Sequence, residues 1–162
     1  MLSCLKHFPG HGSTEANSHD GTSVSTRTLE ELRQTEWITF RAGIEAGAAF
    51  VMISHLTNEA LSPDPCSLSA APMTYLRQEL GFEGIIITDS LQMGAIVDSY
   101  TSGQAAVMAL SAGADMLLMP NNVQLACEAI QAALDQGTLT EERIDESVLR
   151  ILTAKYRFGI ME

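Results

Sequence analysis

Asp89, Lys6 and the chain's four histidines, His7, His11, His19 and His55, are the side chains whose types and positions could do chemistry. Lys6, His7, His11 and His19 follow an apolar run that begins at Leu2. His55 follows a second run ending at Ile53, and Asp89 follows Ile85-Ile86-Ile87-Thr88. If these runs are parallel strands, all six side chains reach one rim. A carboxylate, imidazoles and an ammonium group there suit a polar substrate and nucleophilic and acid–base catalysis. Other readings stay open. His7, His11, His19 and Asp89 are ligand types, but their spacing fits no compact zinc motif and Lys6 would repel a cation, so neither metal nor cofactor is expected. A single histidine is by default a structural hydrogen-bonding group, and Asp89 alone could cap the segment after it.

The elements that would position these groups follow from the pattern. Ile85-Ile86-Ile87 without alternation suggests a strand buried on both faces. At its C-terminal end Asp89 would be held rigidly by the strand and left open by the following loop. Further strands are expected over 2–5, 48–53 and 115–119. The first lacks its beginning, and a long polar loop over 12–28 follows it.

Thr28 with Glu31 forms a capping box for a helix over 29–46. Helices over 72–80 and 104–112 end at Gly81 and Gly113, and one over 123–136 is capped by Asn121 or Asn122 and closed by Gly137. A last helix after Thr140 carries Ile144, Val148, Ile151, Leu152 and Tyr156 on one apolar face. Four consecutive β/α units imply an α/β fold with a parallel sheet and outer helices. They make a small open sheet or half of a TIM-type (β/α)8 barrel, since a full barrel takes about 250 residues. No glycine-rich nucleotide loop follows any strand.

The chain has 162 residues, 46% of them hydrophobic, enough for one domain over 1–162. Its net charge of -11, from 9 Lys+Arg against 20 Asp+Glu, argues against a nucleic-acid partner. Cys4, Cys66 and Cys127 show no paired spacing and read as buried free thiols. No apolar run reaches the roughly 18 residues of a membrane span, and no signal-peptide pattern is present, so a soluble, cytoplasmic chain without a membrane partner is the expectation.

Lys6-His7-Phe8-Pro9-Gly10-His11-Gly12, then Ser18-His19, then Thr88-Asp89-Ser90-Leu91-x-Met93-x-Ala95-Ile96, resembles the glycoside hydrolase family 3 β-N-acetylhexosaminidases, in their N-acetylglucosaminidase branch. Arg143-Ile144-Asp145-Glu146-Ser147-Val148-x-Arg150-Ile151-Leu152 resembles that family's closing helix. The resemblance implies a retaining glycosidase on a TIM-like barrel, acting on N-acetylglucosamine-containing glycosides. In it Asp89 matches the nucleophile and His19 the acid/base on a loop. Lys6 and His7 match residues that hydrogen-bond sugar hydroxyls. His11 is read as holding the loop and His55 as lining the rim, with Ser18 and Asn17 beside the acid/base.

Two departures accompany the match. Asn17 stands where the family usually has an Asp that orients and charges the histidine, and Asp20 is a candidate substitute. The chain also corresponds to the C-terminal half of the barrel. A missing N-terminal half-barrel, or a second copy in a homodimer, is therefore the expected protein partner, and a non-catalytic sugar-binding or assembly fragment is the alternative function.

Overall fold

The computed structural model describes residues 2–12, 14 and 23–161. Strand β1 (Cys4–Phe8) leads through the 9–23 region to a short β2 (Val24–Ser25). Helices α1 (Leu29–Gln34) and α2 (Glu36–Glu45) precede β3 (Phe50–Ile53), and a short β4 (Thr57–Asn58) and a 3-10 turn (Cys66–Leu68) lead to α3 (Ala70–Gln78). Then come β5 (Ile85–Thr88), the single-turn α4 (Gly94–Val97), α5 (Ser102–Ala112), α6 (Val123–Asp135) and α7 (Glu141–Arg157).

The sheet is parallel in the order β1-β3-β5, as successive β/α units require. Its register places Phe8 against Ile53 and Ile53 against Thr88, so the three strands end in one row. The ladder between β1 and β3 is irregular between Leu5 and Phe8. Lys6 and His7, expected just past the first strand, lie within it. A second pairing, of β2 with β4, was not legible from pattern because each is two residues long.

The expected strand over 115–119 runs beside β5 but forms only one parallel bridge, Met116 to Ile87. The reason lies in its donors and acceptors. Thr88 N–H donates to Met116 O and Leu91 N–H to Leu118 O, but Leu118 N–H turns to the Thr88 hydroxyl, and Pro120 removes a donor. Residues 29–46 likewise divide into two helices. Thr35 leaves helical geometry (φ -126, ψ -87) and its hydroxyl donates 2.6 Å back to Glu31 O, the local competition that bends helices at threonine. The capping box forms as the sequence indicates, with Thr28 Oγ1 accepting from Glu31 N and the Glu31 carboxylate from Thr28 N–H.

Phe8 links sheet to helices, stacking on Trp37 (5.6 Å between ring centroids) and meeting Phe40 edge-on (5.1 Å). All three are buried, as are Val51, Ile53 and Ile86 behind them. Gly43 lets α2 lie close on β1: a Cβ there would stand 2.5 Å from Leu5 Cδ2.

Cys66 is in this core, where burial pushes its thiol up to about 12. Cys4 and Cys127 are exposed, contrary to the expectation that all three are buried. Cys4 lies on β1, at one edge of the three-stranded sheet, and Cys127 falls on the solvent side of α6.

Helix α7 also departs from its pattern. Val148, Leu152 and Tyr156 of its apolar stripe are exposed, and the face that packs carries Arg143, Ser147 and Arg150, spaced i, i+4 and i+7. All three reach Asp115, whose side chain is fully buried. Ser147 Oγ donates 2.9 Å and Arg150 Nη1 3.1 Å to Oδ1, and Arg143 Nη2 lies 3.5 Å from the same oxygen. Arg77 Nη2 and Ile86 N–H bind Oδ2 at 2.6 and 2.9 Å. This is the joint between the last helix and the base of β5. Among the described residues no helix is long and apolar enough to cross a membrane.

Candidate active site

The carboxyl ends of β1, β3 and β5 converge, and the chemistry-bearing residues extend from them. Asp89 is the first residue past β5. Its N–H completes the ladder to Ile53 O at 2.9 Å, and its Oδ1 accepts from Ser90 N–H at 2.8 Å. It caps no helix, because the N-cap of α4 is Met93. Its side chain is 16% exposed, sheltered but reachable.

His7 Nε2 lies 3.5 Å from Asp89 Oδ2, at the outer limit of a hydrogen bond. His11 meets His7 edge-on with ring centroids 5.5 Å apart, and its carbonyl is held in a turn by the Thr14 N–H and hydroxyl at 3.1 and 2.9 Å. Between them Gly10 adopts φ +130, with the Glu36 side chain so close that a Cβ would stand 2.4 Å from its Cγ.

Lys6, His7 and His11 open onto a cavity of about 570 Å³ floored by Arg27, Glu36 and Thr39. Glu36, only 11% exposed and 3.7 Å from Arg27 Nε, is a member of this cavity that the motifs did not reveal. Asp89 is outside its lining, so His7 joins the two. Asn17, Ser18, His19 and Asp20 lie outside the described residues.

His55 is placed differently from the rim position expected of it, being buried at 1% exposure. Its Nδ1 is 2.6 Å from Ser67 Oγ and its Nε2 2.8 Å from Ser90 O. A carbonyl only accepts, so Nε2 carries the proton and Nδ1 accepts from the Ser67 hydroxyl, an assignment drawn from the partners. Burial lowers its pKa, with His11 adding to that effect while the Ser90 carbonyl and Asp89 oppose it. His55 is thus neutral in the folded chain over the physiological range. Ser67 carried no signal in the sequence, and the motif that includes Ser90 gave none for the use of its backbone carbonyl.

A pH dependence of stability follows. In the unfolded chain His55 takes up a proton near its ordinary value of about 6.5, whereas the folded chain resists it, so unfolding binds protons and stability rises with pH. Urea midpoints are expected to fall as the pH drops from about 7 towards 5, above the carboxylate range. His55→Gln should flatten that segment, and a curve unchanged by the substitution would exclude His55 as its source.

Among the described residues no three His, Cys, Asp or Glu side chains form a metal-binding group. What the arrangement provides is a carboxylate clamped to a strand end, an imidazole beside it and a polar cavity next door.

Comparison with known proteins places this geometry. The chain is 33% identical to a β-N-acetylglucosaminidase/β-glucosidase of Cellulomonas fimi, covering 99% of this chain and 30% of that protein. It is 39% identical to a β-hexosaminidase of Stenotrophomonas maltophilia strain K279a, covering 81% of this chain and 40% of that protein. The solved structure of a glycoside hydrolase family 3 β-N-acetylglucosaminidase from Paenibacillus sp. str. FPU-7 superposes with a TM-score of 0.93 at 38% identity, over 98% of this chain and 31% of that one. The chain therefore spans 30–40% of the length of these curated relatives. The open parallel sheet with its outer helices is part of a TIM-type barrel. Residues 1–154 match the glycosyl hydrolase family 3 N-terminal domain, and the chain belongs to that family.

Proposed function

We propose that this chain carries the catalytic residues of a retaining β-N-acetylglucosaminidase that releases terminal β-linked N-acetylglucosamine. One observation carries the reading: Asp89 stands at the carboxyl end of β5, locked to Ile53 and flanked by His7, on the rim where barrel enzymes of this type do their chemistry.

The Asp89 carboxylate attacks the anomeric carbon as the glycosidic C–O bond breaks, giving a covalent glycosyl-enzyme. His19 gives its proton to the leaving oxygen, then takes one from the water that cleaves the ester, so the proton count closes over the cycle. Lys6 and His7 hydrogen-bond sugar hydroxyls, His11 holds the loop, and Asn17 and Ser18 flank the acid/base. Asn17 accepts a hydrogen bond from an imidazole but offers no charge to an imidazolium, which slows the proton transfers compared with a carboxylate.

The protein partner in this reading is the rest of a barrel, supplied by an N-terminal half-barrel or by a second copy. It is supported by β1 standing at the sheet edge and by the exposed apolar residues of α7. Alone, the chain is expected to release little or no nitrophenol from a nitrophenyl N-acetylglucosaminide; robust release would overturn the need for a partner.

The 30% and 40% coverage of the relatives and the presence of Asn17 favour a second reading, a sugar-binding or assembly fragment without catalysis. Titration of the chain with N-acetylglucosamine separates the two. Saturable binding without hydrolysis, persisting when the barrel is completed, supports the fragment reading, and the absence of binding removes it.

A further inference from the structure

The Ser90–Leu91 peptide unit, the second after Asp89, is held from two sides. Its carbonyl, Ser90 O, accepts from His55 Nε2 at 2.8 Å, and its N–H, on Leu91, donates to Leu118 O at 2.9 Å. One residue earlier, Ser90 N–H donates to Asp89 Oδ1 at 2.8 Å and so sets the carboxylate's orientation. The strand ladder ends at Asp89 N–H, so beyond that point these contacts hold the backbone in place of the sheet.

His55 is itself buried and held at both ring nitrogens. It lies two residues past β3, and its other ring nitrogen takes the hydroxyl of Ser67, in a 3-10 turn whose three residues are all buried. An apolar side chain of similar volume would fill the space equally well. A neutral imidazole alone places one donor and one acceptor on opposite sides of a flat ring, which suits this site.

We propose that His55 is a positioning residue for Asp89, acting through the Ser90 carbonyl. The role matters to catalysis only if Asp89 is the nucleophile, and it touches no substrate. A nucleophile held off its line of attack by even an ångström loses rate steeply, which gives a buried clamp on its neighbour a function beyond packing.

Amide hydrogen exchange on the chain tests the clamp, with His55→Leu, which removes both bonds, and His55→Gln, which keeps a donor towards Ser90. H55L is expected to speed exchange at Ser90 and Leu91 about tenfold, the scale of one lost hydrogen bond, while Phe50 and Ile85 at the start of the ladder keep their rates. H55Q is expected to restore the Ser90 and Leu91 rates. Unchanged rates at Ser90 and Leu91, equal acceleration at Phe50 and Ile85, or no recovery in H55Q would each overturn the proposal.

If H55L does not fold, the imidazole nitrogen shifts of the unaltered chain decide. A neutral ring protonated at Nε2 supports the clamp, and one protonated at Nδ1 overturns it. These readouts involve no turnover, so they stand or fall separately from the glycosidase assignment, which the Asp89 substitution tests.

Discussion

Asp89→Ala in the complete enzyme is expected to lower turnover of a nitrophenyl N-acetylglucosaminide by on the order of 10⁴-fold or more, as loss of a covalent nucleophile does. Among the described residues its other contacts are too few to account for such a loss. Its backbone bond to Ile53 is made by the N–H and survives the substitution, and among the described residues its carboxylate takes one hydrogen bond, from Ser90, with His7 Nε2 3.5 Å away. The folded chain should therefore keep its stability within about 1 kcal/mol, the worth of one such bond. A large loss of rate with little loss of stability is the signature. Retained turnover would remove Asp89 from the reaction, and a parallel collapse of stability would make its role structural.

The second large effect falls on stability. Asp115→Ala is expected to destabilise the chain by about 3–5 kcal/mol, because it leaves buried or half-buried cations without their counter-charge. Arg77, Arg143 and Arg150 all approach this one carboxylate, and Ser147 and the Ile86 N–H complete its shell. Arg77 is the most committed of the three. Burial lowers its pKa, against the pull of Asp115, and its Nη1 also binds the Phe82 and Gly84 carbonyls at 2.7 and 2.6 Å.

Against total stabilities of about 5–15 kcal/mol, such a loss removes a large share of what holds the chain folded. Urea titration followed by circular dichroism reads it directly. A change under about 1 kcal/mol would mean that α7 is held by its apolar contacts instead.

The joint at Asp115 shows where sequence reading stops. The Arg143, Ser147 and Arg150 spacing was visible as part of a family-like helix, but an i, i+4, i+7 polar row does not name its partner. The apolar stripe of Ile144, Val148 and Leu152 is the stronger pattern in the sequence, yet two of the three are exposed. Local signals fared well where one residue decides the outcome. Thr28 with Glu31 opens α1 and Gly113 in the left-handed region closes α5, as their chemistry requires.

Where another contact competes, local at Thr35 or tertiary at 115–119, pattern is insufficient. Thr35 splits a helix by bonding backward, and Pro120 with the Thr88 hydroxyl keeps 115–119 from becoming a full strand. The site divides in the same way. Asp89 was legible because an unbroken apolar strand ends on it, and Lys6 and His7 because their motif is dense. His55 was seen but misplaced, since its burial depends on Ser67 and the Ser90 carbonyl, twelve and thirty-five residues away in sequence.

Trapping the glycosyl-enzyme tests the central claim most directly. The complete enzyme is treated with a fluorinated N-acetylglucosaminyl donor that slows hydrolysis of the intermediate, then digested and mapped by mass spectrometry. The account predicts one added sugar, carried on Asp89 in the segment Thr88-Asp89-Ser90-Leu91. A label on any other residue, or an active enzyme that turns over the ordinary substrate and takes no label, would contradict it.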